Sequence, residues 1–207
     1  QGSSLPLATL GTFILWFGWF GFNGGSQLAL GSVADASSMA RIFANTNLAA
    51  ASGVIVAMIL GQALYKKVDL TFVLNGALGG LVSITAEPLA PTFLWAVIIG
   101  GVGGALVVLA IPILDKFKID DVVGAIPVHL VCGIWGTLAV PITNSDASFV
   151  TQLIGIISIG AFVFVLSAII WTIVKFSMGI RLSASEEKDG ADQSEIGLKA
   201  YPEFGNQ

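Results

Sequence analysis

Charge is scarce in this chain: Asp, Glu, Lys and Arg together make up 11% of its 207 residues, against 55% that are hydrophobic. That balance excludes an ordinary water-soluble domain. Cysteine and histidine occur once each. A lone cysteine, Cys132, rules out a disulfide within the chain, and its apolar surroundings suit a small packing residue better than redox chemistry. A lone histidine with no Cys or carboxylate at suitable spacing leaves a metal site without ligands. No nucleophile, base and orienting group fall together, so an enzyme is not expected, nor is a cofactor or a nucleic-acid partner. The formal charge of −4 comes mostly from the last stretch, where Glu186, Glu187, Asp189, Asp192, Glu195 and Glu203 gather, and says little about the apolar part. The chain opens Gln1-Gly2-Ser3-Ser4 without a basic n-region, so no cleavable signal is expected and the start looks internal.

What is present is a series of uncharged windows, at 1–34, 42–65, 70–86, 88–114, 122–145 and 147–174. Each is near or above the roughly 17 to 25 residues that a membrane-spanning helix needs. Stretches such as Ala96-Val97-Ile98-Ile99 do not alternate apolar with polar residues, which argues against barrel strands. The expected fold is all-α, a polytopic bundle of six transmembrane helices. Their spans are placed at about 6–28, 43–65, 70–87, 92–114, 122–141 and 148–175, within a membrane region 1–178 that precedes a tail at 179–207. No clear internal repeat is visible, so the protein is either small or one half of something larger.

Lys and Arg are retained on the cytoplasmic side. Lys66 and Lys67 follow the second span, Lys116 and Lys118 the fourth, and Lys175, Arg181, Lys188 and Lys199 the sixth. Of the nine basic residues only Arg41 falls on the other face. The tail is therefore expected in the cytoplasm. Its acidic residues could dock on the basic rim.

Glycine is plentiful, with 25 residues sitting largely inside spans. The pairs Gly21/Gly25, Gly76/Gly80 and Gly100/Gly104 put small residues four apart, a pattern that lets helices approach closely in lipid. Polar groups inside spans, among them Asn45, Thr46, Asn47, Asn75, Ser83 and Thr85, need a partner on a neighbouring helix or a wet cavity. Asp120 and Asp121 open the fifth span, where a carboxylate caps the helix and complements its dipole, a structural role. In the first span Phe17, Trp19, Phe20 and Phe22 precede Asn23 and Ser26. Ring faces attract a small cation and a hydroxyl supplies an acceptor, although aromatics at this depth also serve as interface anchors.

The single histidine, His129, lies among Val122, Val123, Ile126, Val128, Leu130 and Val131. An ionisable residue at membrane depth points to a functional role on the path of a proton, an ion or a polar solute. A neutral imidazole donates with one nitrogen and accepts with the other, and so could pass a weak base such as ammonia.

Several segments are familiar together. GTFILWFGWFGFNGGS at 11–26, NTNLAAA at 45–51, NGALGGLVSIT at 75–85, DDVVGAIPVHLVCGIWGT at 120–137 and the tail GADQSEIG at 190–197 with Ala200-Tyr201 resemble, in order, the ammonium transporter (Amt/Rh) family, on its Amt branch. Members have eleven spans in inverted repeats and an outside N-terminus, and these six resemble the sixth to eleventh. The resemblance implies transport of ammonium or ammonia through a hydrophobic pore of a multi-pass protein in the cell membrane (plasma or inner membrane). Ammonium would be captured outside and would lose its proton near a phenylalanine gate. By the same resemblance Phe22 would be one of two gate phenylalanines, Ser26 part of the external ammonium site, and His129 one of two pore histidines. Trp19 and Thr85 would stand near the pore. Asn23, Asp120 and Asp121 are structural. Many members carry an acidic or polar residue five before the pore histidine, where this chain has Gly124. The resemblance also implies a homotrimer and a PII-type regulator at the tail. An ammonium sensor signalling through that tail and an Rh-like neutral gas channel are the alternatives.

Overall fold

The computed structural model describes residues 4–202, and every regular element among them is a helix. The helices are α1 (Leu5–Gly25), α2 (Val33–Tyr65), α3 (Leu70–Thr85), α4 (Phe93–Lys116), a π-helical turn (Ile126–Val131) that runs into α5 (Cys132–Thr143), then α6 (Phe149–Ser177), α7 (Ala184–Asp189) and α8 (Ala191–Ile196). The chain forms two units, the first ending at Ile156 and the second beginning at Ile157.

Five of these helical stretches are long and apolar enough to cross a membrane. The sixth expected crossing, α3, has 16 residues. At 1.5 Å per residue it is about 24 Å long, short of a hydrocarbon layer of about 30 Å. It stops at Thr85 because Pro88 biases the residue before it away from helix. The loop that follows is tied down. Arg41 Nη2 donates to the carbonyls of Ala90 (3.3 Å) and Pro91 (3.1 Å), and Asn45 Nδ2 to those of Pro88 and Pro91, both at 2.9 Å. Asn144 Nδ2 reaches Glu87 Oε2 at 3.2 Å.

α2 starts ten residues before the span at 43–65. Ser32 and Asp35 form a capping box, each side chain accepting the other residue's backbone N–H, so the helix is nucleated in polar sequence and only later becomes apolar. Asp35 and Arg41, expected in a loop, therefore lie on α2.

Small residues bring α2, α3 and α4 together. A side chain on Gly80 or on Gly100 would be built into the Ala49 carbonyl, and one on Gly104 into the Gly53 carbonyl. Ala49 thus has α3 on one side and α4 on the other, in backbone contact with both. Gly21 and Gly25 have open space where their side chains would be, so the first of the three expected glycine pairs packs on nothing here. The apolar core is correspondingly fine-grained. One part gathers Ala49, Ile84, Ala96, Ile99 and Ala139, and another Val107, Val128 and Cys132. Trp135 Nε1 ties α5 to α4 by donating to the Ile99 carbonyl at 3.0 Å.

In the second unit the rest of α6 is apolar on every side and has no buried residue. After Gly179, α7 opens on a second capping box, with Ser183 and Glu186 exchanging bonds. Arg181 pairs with Glu187, and Asp192 accepts the Ala200 N–H at 2.7 Å. These bonds favour the charged carboxylates and hold Glu186, Glu187 and Asp192 below their ordinary range: the Ser183 hydroxyl acts first on Glu186, the Arg181 guanidinium on Glu187, and the Ala200 N–H on Asp192. A group whose folded value is depressed contributes stability above its unfolded value and loses it as pH falls through the folded one. These contacts are therefore expected to contribute to tail order at neutral pH and to lose that contribution only below the usual carboxylate range of about 4. A spin label at position 198 should be restrained at neutral pH and mobile in acid; mobility that does not change with pH would refute this.

Candidate functional site

The C-terminal half of α1 is fixed to its neighbours by two polar bonds. Trp19 Nε1 donates to Thr85 Oγ1 at 2.7 Å, and that hydroxyl in turn donates to the Leu81 carbonyl, also at 2.7 Å. One turn on, Asn23 Nδ2 donates to Thr46 Oγ1 at 3.0 Å in the buried interior between α1 and α2. The four residues belong to three helices. Each bond satisfies a polar group that would otherwise face an apolar medium at a cost of several kcal/mol. Asn23 Oδ1 and Asn45 Oδ1 are buried without a partner among the described residues.

These anchors set the other face of the helix end. The Phe22 ring lies 5.7 Å from that of Trp19, tilted by 46°, and Phe22 is 65% exposed. Ser26, the C-cap residue, is also exposed, and its hydroxyl makes only a long bond of 3.4 Å to the Phe22 carbonyl. Exposed ring, exposed hydroxyl and half-buried indole therefore share one end of α1. A small cation meeting them would find a π face and an oxygen acceptor. Phe20 turns elsewhere and packs edge-on against Phe43 at 5.5 Å.

His129 lies in the π-helical turn. Pro127 has no N–H to give, and the Cys132 N–H reaches back to the Pro127 carbonyl five residues earlier. Such a bulge re-aims the side chains it carries and is common at functional positions. The turn is held at its start by Asp121, whose two carboxylate oxygens accept the N–H groups of Ala125 and Ile126, both at 2.8 Å. Asp120 is exposed and makes no side-chain bond among the described residues. The imidazole is exposed on the surface of this unit and has no hydrogen-bond partner there. Structure thus joins Trp19, Thr85, Phe22 and Ser26 in one cluster and Asn23 just behind it, while His129 and Asp121 belong to a different helix end.

Sequence reasoning missed the clamp of Arg41 and Asn45 on the Pro88–Pro91 loop, for which the two prolines were the available signal. It also gave no hint that Asn75 would go unpaired. Among the described residues no group of three His, Cys, Asp or Glu could hold a metal ion.

The family description "Ammonium Transporter Family" matches residues 1–201. Ammonium transporter Amt2 of Archaeoglobus fulgidus is 40% identical over 225 residues, covering 98% of this chain and 47% of that protein. Ammonium transporter Amt2 of Haloferax mediterranei is 38% identical over 229 residues, covering 99% of this chain and 49% of that protein. A solved structure described as "Sensor Amt Protein" superposes with a TM-score of 0.85 at 38% identity, over 93% of this chain and 49% of that one. The chain spans about half the length of the curated relatives it matches.

Proposed function

Because this chain belongs to the Ammonium Transporter Family, we propose that it supplies the sixth to eleventh spans of a protein that carries ammonium or ammonia across a membrane. The observation that supports this reading best is the cluster at the end of α1, where the exposed Phe22 ring and Ser26 hydroxyl stand beside a Trp19 indole held in place by Thr85. An ammonium ion is small, carries one charge and donates hydrogen bonds, which suits a ring face and a hydroxyl oxygen.

In this reading ammonium is captured at Ser26 on the outer face and loses its proton beside Phe22, and ammonia then passes along an apolar conduit in which His129 offers both a donor and an acceptor. The distribution of Lys and Arg puts the tail in the cytoplasm. The assembly is a homotrimer in the cell membrane, and a PII-type regulator engages the tail.

The test is ammonium uptake by full-length protein in proteoliposomes. A hydrogen bond to a charged group is worth about 1.5–3 kcal/mol, so Ser26→Ala is expected to raise the half-saturating ammonium concentration roughly tenfold or more while maximal flux changes little. Superimposable saturation curves would remove Ser26 from the site. Ammonium binding with no flux through the wild-type protein would turn the reading from transporter to sensor.

A further inference from the structure

At the end of α1 away from Ser26, a cavity of about 730 Å³ opens between Leu5, the start of α3, the end of α4 and the turn that leads to His129. Its wall carries four carboxylates, Asp69, Asp115, Asp120 and Asp121, and one cation, Lys118. No ion pair joins Lys118 to any of them among the described residues. Asp69 Oδ1 caps α3 by accepting the Thr71 N–H at 2.8 Å, and Asp121 is occupied by two backbone N–H groups, whereas Asp115 and Asp120 are exposed.

One wall residue is out of keeping with a mere collection of surface acids. Asn75 is 8% exposed, lines the cavity, and makes no side-chain hydrogen bond among the described residues. Gly124 keeps it so. At φ +79° this residue favours glycine, and a Cβ added there would lie 3.0–3.2 Å from the Asn75 amide atoms. The amide thus lines the cavity with a donor and an acceptor that no side chain or backbone group among the described residues engages.

The arrangement also restricts what that something is. No three of these acids come close enough to hold a metal ion, so a single compact charge cannot engage them together. The volume falls in the range of small organic ligands, about 300–1,000 Å³. Charges dispersed around such a space match a ligand whose own charges are spaced along a chain.

We propose that this cavity binds a protonated linear oligoamine, with one terminal ammonium group donating to the Asn75 carbonyl oxygen and the others lying against Asp69, Asp115 and Asp120. By the distribution of basic residues this is the cytoplasmic end, so an occupied cavity sits across the inner mouth of the proposed conduit. The binding itself does not depend on which solute the conduit passes.

Isothermal titration of the full-length protein with spermidine tests it, with ammonium chloride and magnesium chloride as comparison arms. Saturable spermidine binding is expected. Asp69→Asn with Asp115→Asn keeps the α3 cap and the shape of the wall while removing two charges, and should weaken binding at least roughly tenfold; Asn75→Leu should weaken it roughly fivefold or more. The double variant eluting as wild type in size exclusion shows that the loss is local. Absence of saturation, equal affinity in the charge-neutral variant, or displacement by magnesium at matched ionic strength would overturn the proposal. Displacement of spermidine by ammonium at the same concentration would overturn it too, and would make the cavity an ammonium site.

Discussion

Gly100→Ala is expected to yield almost no folded protein, whereas Gly101→Ala, one residue along the same helix, should be nearly silent. At Gly100 the new methyl would be built into the backbone of Ala49, which cannot move without taking α2 with it. At Gly101 it would meet Val56 Cγ2 at 3.2 Å, the end of a side chain that can shift by a few tenths of an ångström. Overpacking a well-filled interior ordinarily costs about 1–3 kcal/mol. Here the cost is greater, because Ala49 is also held from the other side by Gly80 of α3, and moving α2 away from α4 strips or strains that contact as well. Total stability is about 5–15 kcal/mol, and separating α2 from both α3 and α4 is a loss of that same order, which removes most of the folded population. The monodisperse fraction in size exclusion and the thermal midpoint measure it. A Gly100→Ala protein melting within a degree or two of wild type would show that the helices are not in register at Ala49.

His129→Ala is expected to lower ammonium flux roughly ten- to hundredfold and to leave the thermal midpoint unchanged. The magnitude follows from removing the donor and acceptor offered to a polar solute in an apolar passage, a loss of about 1–3 kcal/mol at the top of the barrier. The unchanged midpoint follows from the structure: the imidazole is exposed on this unit and has no hydrogen-bond partner among its described residues, so truncation strands none of them. A histidine that merely braced neighbouring helices would give the opposite pair of results, a lower midpoint with flux preserved. Uptake from proteoliposomes and thermal unfolding of the same preparations separate the two.

Much of this fold is readable from where charge is missing. α4 and α6 begin and end within one or two residues of their expected spans because both are bounded by charged or loop-forming residues on each side. The same cue fails at the start of α2, where a capping box builds helix out of Ser32 and Asp35 before hydropathy begins. By contrast, α3 begins at its expected residue and ends two short of 87, where Glu87 and Pro88 close the apolar run. Of the candidate site, the aromatic and hydroxyl residues of α1 stand out by type and spacing, but the Trp19–Thr85 bond joins positions 66 apart and appears in the sequence only as two polar groups that each need a partner. Asp121 could be read as a helix cap because the preference is local. The π turn could not, since no local preference announces that the Cys132 N–H reaches back five residues to the Pro127 carbonyl. Glycine spacing had the same limit. It identified Gly100 and Gly104, yet it gave no way to know that Gly21 and Gly25 face empty space.

The shortness of α3 has a further electrical consequence. A helix of about 24 Å standing where lipid tails are about 30 Å deep draws the two aqueous phases closer by roughly a fifth along its length. The image-charge penalty on a polar permeant grows with the thickness of low-permittivity material it must traverse, so under the proposed function a path beside this stubby helix would meet a lower barrier than one beside its longer neighbours.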